Sequence, residues 1–150
     1  MVKEGAKAPA FRLASDSGDM VALKDFVGRR VVLYFYPKDD TSGCTLEARN
    51  FQEELASFTK KGAVILGVSR DSVDSHRKFK KKYGLEFPLL ADVDGTVCEK
   101  YGVWVEKSMY GRKYMGIERT TFVIDEAGRI LRIFPKVKVP GHCAAVMETL

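Results

Sequence analysis

The apolar positions of this chain fall into two kinds of run. Residues 31–36 and 63–68 are short, continuous and rich in β-branched and aromatic side chains, as expected of strands buried on both faces. Between them, residues 45–60 place Leu46, Phe51, Leu55 and Phe58 near one helical face, with Gln52, Glu53, Lys60 and Lys61 elsewhere and Gly62 as a stop. A strand, a helix and a strand in that order predict a right-handed crossover between parallel strands. A second helix is predicted from the cap Ser72 to Tyr83 and Gly84, with Val73, His76, Phe79 and Tyr83 at helical spacing.

Weaker signals flank this centre. Residues 8–15 and 20–23 alternate around Ser17, Gly18 and Asp19, which predicts a short N-terminal edge hairpin, and residues 23–26 read as one helical turn. Residues 88–92 read as a short strand and 94–102 as a turn into a short helix. Residues 103–115, aromatic and punctuated by glycine, read as a linker in which Trp104 packs across the core edge. Residues 119–125 alternate, 126–128 turn and 129–137 return, which predicts a hairpin; 140–150 is helix-compatible. The assembled order is a three-layer α/β/α arrangement.

Composition narrows the class. A length of 150 residues with 45% hydrophobic content predicts one domain over 1–150 with a real core. No eighteen apolar residues run together and the start has no apolar h-region, so a cytoplasmic protein without a membrane span is expected. The net charge of +5 is interspersed with acids, and the densest run, Lys78, Lys80, Lys81 and Lys82, reads as a solvated helix face rather than a nucleic-acid contact. Cys44, Cys98 and Cys143 are odd in number and irregularly spaced, which fits neither a disulfide framework nor a zinc pair. Reduced thiols are expected.

Candidate chemistry gathers where the first strand ends. The polar, turn-forming segment 37–43 is hard to bury, and it leads Cys44 into the first turn of a helix. Free amides and the helix dipole there favour the anionic form of a sulfur. Thr41, three residues earlier, can lie on the same side as the sulfur, or serve only as a cap. Positions 41 and 47, where a C-x-x-C motif would put its second cysteine, hold Thr41 and Glu47, so one-sided nucleophilic chemistry is favoured over a vicinal disulfide. Glu47, one turn on, would oppose a thiolate by ~3 kcal/mol at about 6 Å and an effective dielectric near 20, unless it is turned away, solvated or paired with an arginine. His76 on its apolar stripe and Cys98 beside Val97 and Tyr101 read as packing residues.

Pro37, Thr41 and Cys44 together match the P-x-x-x-T-x-x-C signature of the peroxiredoxins. Tyr36-Pro37-Lys38-Asp39-Asp40-Thr41-Ser42-Gly43-Cys44-Thr45-Leu46-Glu47, Gly102-Val103-Trp104 and Arg119-Thr120-Thr121-Phe122-Val123-Ile124-Asp125 resemble the bacterioferritin-comigratory-protein, or peroxiredoxin Q, branch. The resemblance implies a thioredoxin-like fold with peroxiredoxin insertions, and a thiol-dependent peroxidase acting on hydrogen peroxide and organic hydroperoxides without metal, haem or flavin. It implies that Cys44 attacks the peroxide and becomes a sulfenic acid, that Thr41 hydrogen-bonds the substrate and that Arg119 is the cation beside the sulfur. Pro37, Gly43 and Glu47 complete the implied substrate site. The implied reductant is thioredoxin, glutaredoxin or a small thiol, and the implied state a monomer or weak dimer. One departure stands out: many members carry a second cysteine five residues after the first, where this chain has Arg49. A one-cysteine cycle is therefore expected, with Cys143, then Cys98, as internal alternatives. The competing class on the same fold is a redox sensor or holdase.

Overall fold

The computed structural model describes residues 2–150. In chain order its elements are β1 (Arg12–Ser15), β2 (Met20–Ala22), a 3-10 turn (Leu23–Phe26), β3 (Arg30–Phe35), α1 (Ser42–Glu53), α2 (Leu55–Lys60), β4 (Ala63–Ser69), α3 (Val73–Tyr83), β5 (Leu89–Ala91), α4 (Thr96–Lys100), β6 (Trp104–Met109), β7 (Arg112–Ile117), β8 (Thr120–Ile124), β9 (Ile130–Phe134) and α5 (His142–Met147). The main sheet has the order β2-β1-β5-β4-β3-β8-β9. As the apolar runs predict, β3 and β4 are parallel neighbours at its centre, in register from Arg30 opposite Ala63 to Phe35 opposite Val68. The N-terminal hairpin forms one edge and the β8–β9 hairpin the other.

The period of a strand divides the core into two layers. Val31, Leu33 and Phe35 face one side, where Val97 and Cys98 of α4 and Tyr101 just after it pack with Phe11 and Ile117. Val32, Tyr34 and Tyr36 face the other, under Cys44, Ala48 and Phe51 of α1, Phe58 of α2, Phe79 of α3 and Val146 of α5. Tyr34 lies across β4 because position 67 is glycine: a Cβ there would stand 3.0 Å from its ring and from Leu89. Each fully buried aromatic or aliphatic side chain contributes roughly 1.5–3 kcal/mol, so these two layers fix the mouth of β3 on which the next loop sits.

Three expectations need correction. The helix expected over 45–60 begins earlier, at Ser42, and is split at Glu54, whose backbone (φ −99°, ψ 7°) leaves the helical region. Its inner face is set by Cys44, Glu47, Ala48 and Phe51, which turns Leu46 outward to 47% exposure. Residues 103–115 are not a linker. They belong to a second, two-stranded sheet in which β6 and β7 pair antiparallel through a turn at Tyr110 (φ 53°) and Gly111 (φ 79°). Two left-handed residues are what a tight hairpin requires. Trp104 does pack against the core edge, with the Arg70 guanidinium 4.4 Å from its ring centre.

Candidate active site

Cys44 is the third residue of α1. The first helical bond runs from the Thr45 amide to the Thr41 carbonyl at 2.8 Å, so the amides of Ser42, Gly43 and Cys44 precede it and have no helical acceptor. Cys44 is 2% exposed, and its sulfur accepts a hydrogen bond from Arg119 Nη2 at 3.3 Å. Arg119 leads into β8 and reaches both ways, its Nη1 donating to Glu47 Oε1 at 2.7 Å. Gly43 leaves room for this guanidinium, since a Cβ there would meet Arg119 Nη2 at 3.2 Å. Arg119 is thus the arginine that pairs with Glu47, a choice the sequence leaves open.

Burial pushes the Glu47 carboxyl up to about 7, against the lowering effect of Arg119. The folded protein therefore keeps a proton that an unfolded chain has already released, and stability falls as pH rises from 4.5 through about 7. Glu47→Gln, with no such proton to lose, is expected to flatten this fall by at most about 3 kcal/mol. Urea midpoints of the two proteins across that range measure it. A parallel pH dependence in both would overturn the linkage.

The loop before α1 is held by groups that sequence reasoning missed. Asp39 is buried and accepts hydrogen bonds from Tyr36 Oη at 2.6 Å and Ser75 Oγ at 2.8 Å, while His76 Nδ1 lies 2.7 Å from its Oδ2. The Asp39 amide donates to Asp71 Oδ2 at 2.8 Å, and His76 Nε2 faces the Leu90 carbonyl at 2.9 Å. His76 therefore packs and anchors, its ring nitrogens taken up by Asp39 and the Leu90 carbonyl rather than by the sulfur. Asp39, Asp71 and His76 are the described residues close enough together to share a cation, but their atoms already satisfy one another. Asp40 (φ 57°) is held by Lys82 at 2.8 Å and Tyr83 at 2.6 Å, and Lys80 pairs with Asp16 at 3.0 Å, which uses two of the four lysines of the α3 run within the fold.

Thr41 sits at the N-cap position with extended backbone, but its side chain makes no capping bond. Its hydroxyl donates to the Lys38 carbonyl at 2.8 Å, which leaves the oxygen lone pairs free to accept. Pro37 borders an open cleft of about 430 Å³ with Arg70, Trp104, Lys107, Tyr114 and Ile117. Burial, then the field of Arg119, holds the Lys107 ammonium below its usual range. A different cavity, of about 310 Å³ and lined by Ala8, Phe26, Val27 and Ile124, lies at the opposite end of β3 and touches none of these residues.

The other cysteines stand apart. Cys98 is fully buried in the layer across the sheet, its thiol pushed up by burial and by Asp92. Cys143 donates to the Asn50 carbonyl at 3.6 Å, six residues along α1 from Cys44, or about 9 Å of helical rise. Burial pushes its thiol up to about 11. Arg49 is exposed.

The chain as a whole has known relatives. The model of the AhpC/TSA family matches residues 5–133. A putative Bcp peroxiredoxin of Coxiella burnetii is 55% identical over 149 residues, covering 99% of both chains. The chain belongs to the AhpC/TSA family, among its Bcp peroxiredoxins. Peroxiredoxin Bcp of Bacillus subtilis is 48% identical over 99% of this chain and 95% of its own. Among solved structures, Xylella fastidiosa PrxQ has a TM-score of 0.94 at 39% identity, covering 99% of this chain and 94% of that one. The bacterioferritin comigratory protein of Xanthomonas campestris, studied for alkyl peroxide reduction, has a TM-score of 0.88 at 45% identity over 92% and 88%. The peroxiredoxin is accordingly a thiol-dependent peroxidase with a thioredoxin-like fold, a peroxide substrate and a thiol reductant. Among the described residues, no helix is long and apolar enough to cross a membrane.

Proposed function

We propose that Cys44 is the thiol that attacks the peroxide, with Thr41 and Arg119 as its partners in the reaction. The observation that carries this reading is Arg119 bridging the Cys44 sulfur and Glu47. A thiolate at the head of α1 attacks the terminal oxygen in line, the O–O bond breaks, and Cys44 becomes a sulfenic acid while water or an alcohol leaves. Arg119 and the free amides of Gly43 and Cys44 stabilise the charge that moves along S–O–O. Thr41, its own proton committed to Lys38, accepts the peroxide O–H and so orients it. Pro37, Gly43 and Glu47 shape the site around these groups. Thr41→Val is expected to slow oxidation about tenfold by removing one hydrogen bond, with the sulfur's ionisation little changed. Stopped-flow rates beside thiolate absorbance check it, and an unchanged rate would remove Thr41 from the mechanism.

The cycle we infer is a one-cysteine cycle in a monomer or weak dimer, in the cytoplasm, with thioredoxin, glutaredoxin or a small thiol reducing Cys44 directly. Two features support it: Cys98 lies across the sheet, and Cys143 faces Asn50. A disulfide needs Cα atoms within roughly 7 Å, so either partner would have to move with its helix. Non-reducing peptide mapping after one equivalent of peroxide is expected to find sulfenic or sulfinic acid at Cys44. A quantitative internal disulfide would overturn the one-cysteine cycle. Sustained turnover with thioredoxin and its reductase separates the enzyme from a redox sensor, which oxidises once and stops.

A further inference from the structure

Cys44 and Glu47 are both acids, both 2% exposed, and both held by the same guanidinium. If both were ionised, two negative charges would face one positive charge where water cannot compensate. Two like charges sharing one cation in a buried site repel each other, so the arrangement favours one negative charge at a time. Glu47 Oε2 is buried and accepts no hydrogen bond, whereas an ionised carboxylate calls for donors on both oxygens. An orphaned buried oxygen beside a bonded one is the natural seat for a proton.

The groups around this pair do not supply a second compensating charge at Glu47. From β3, the Tyr34 hydroxyl is buried and also without a partner, and burial, then Glu47, pushes its ionisation far up, so it stays neutral. From α5, the Cys143 thiol is pushed up to about 11, while His142 is pushed down to about 4 by burial and is bonded to Thr121. Both are uncharged near neutrality. Lys107 from β6 and Glu118 beside Arg119 bear on the mouth of the site, and Asp39 is occupied by its loop anchor. Among the described residues, Arg119 is the cation that pairs with Glu47.

We propose that Glu47 holds a proton while Cys44 is a thiolate and gives it up when the sulfur is oxidised, so that the proton the leaving oxygen needs is balanced from within the protein. This rests on Cys44 being the attacking thiol. The sulfur lone pair forms the S–O bond, and the O–O pair departs with the leaving oxygen. That oxygen takes one proton and leaves as water or alcohol, while Glu47 loses one and becomes a carboxylate. Sulfur is oxidised by two electrons and the O–O bond is reduced by two. Before the step Arg119 balances the thiolate; after it, Arg119 balances the carboxylate. The pocket stays neutral throughout. Glu47 is bonded to Arg119 and not to the sulfur, so it acts through that guanidinium as a positioning and proton-holding residue.

Infrared difference spectra of the whole protein, reduced and after one equivalent of hydrogen peroxide just below neutral pH, test this. The expected result is loss of one protonated-carboxyl band per sulfur with gain of a carboxylate, absent from Glu47→Gln. In weak buffer with an indicator dye, the wild type is expected to take up almost no proton per thiolate oxidised, and Glu47→Gln one. If mass spectrometry finds the sulfenic acid at Cys44 but no carboxyl band is lost, the proton-holding role is overturned while the reading of Cys44 stands. If Cys44 remains unoxidised, both fall.

Discussion

Replacing Cys44 by serine is expected to abolish peroxide consumption, while Cys98→Ser and Cys143→Ser each leave the first oxidation step near the wild-type rate. Only Cys44 combines a helix start with a guanidinium on its sulfur. Cys98 has the carboxylate of Asp92 for a neighbour and a thiol that resists ionisation, and Cys143 is likewise pushed up and hydrogen-bonded to a carbonyl. Rapid mixing with peroxide under single-turnover conditions decides between them. Appreciable reactivity in Cys44→Ser would remove the assignment.

Arg119→Met is expected to slow peroxide reduction about a hundredfold, the loss typical of removing one preorganised donor from developing charge. Methionine keeps the stem and removes both the 3.3 Å contact to sulfur and the 2.7 Å contact to Glu47. Glu47, already raised to about 7 by burial, answers by holding its proton over a wider pH range, so no unpaired charge is trapped and the fold survives. Denaturation midpoints and thiolate absorbance accompany the rate measurement. A wild-type rate in this variant would refute the role of the arginine.

The centre of the fold was legible because its signals are local. The β3 and β4 runs are uninterrupted, and Ser72 caps α3 as expected by accepting from the Ser75 amide at 3.1 Å. What hid was either locally atypical or non-local. The β6–β7 turn places Tyr110 where glycine, asparagine or aspartate is the usual sign, so the strands on either side read as a linker. The inner face of α1 is made of small and charged residues, Cys44, Glu47 and Ala48, which apolar periodicity undervalues beside the exposed Leu46. The Asp39 anchor joins residues 32 to 37 positions apart, and no window of neighbouring sequence contains it. Within the site itself, motif resemblance brought Cys44 and Arg119 forward, but neither motif nor spacing could say that Glu47 shares that arginine.

The anchoring of the loop and the burial of the sulfur divide the two halves of the cycle by size. On the proposed reading, a peroxide only a few atoms across meets groups the fold already holds in place, so its capture leaves little chain to order and carries little conformational entropy cost. A protein thiol attacking the sulfur of a residue that is 2% exposed must first see the opening turn of α1 come away from Arg119 and from the Asp39 anchor. That opening is a local unfolding event with its own free energy. On the proposed reading, every contact that preorganises this site for peroxide therefore opposes its opening to a protein reductant, and amide hydrogen exchange at residues 45–48, the first helically bonded amides of α1, reads the free energy of that opening.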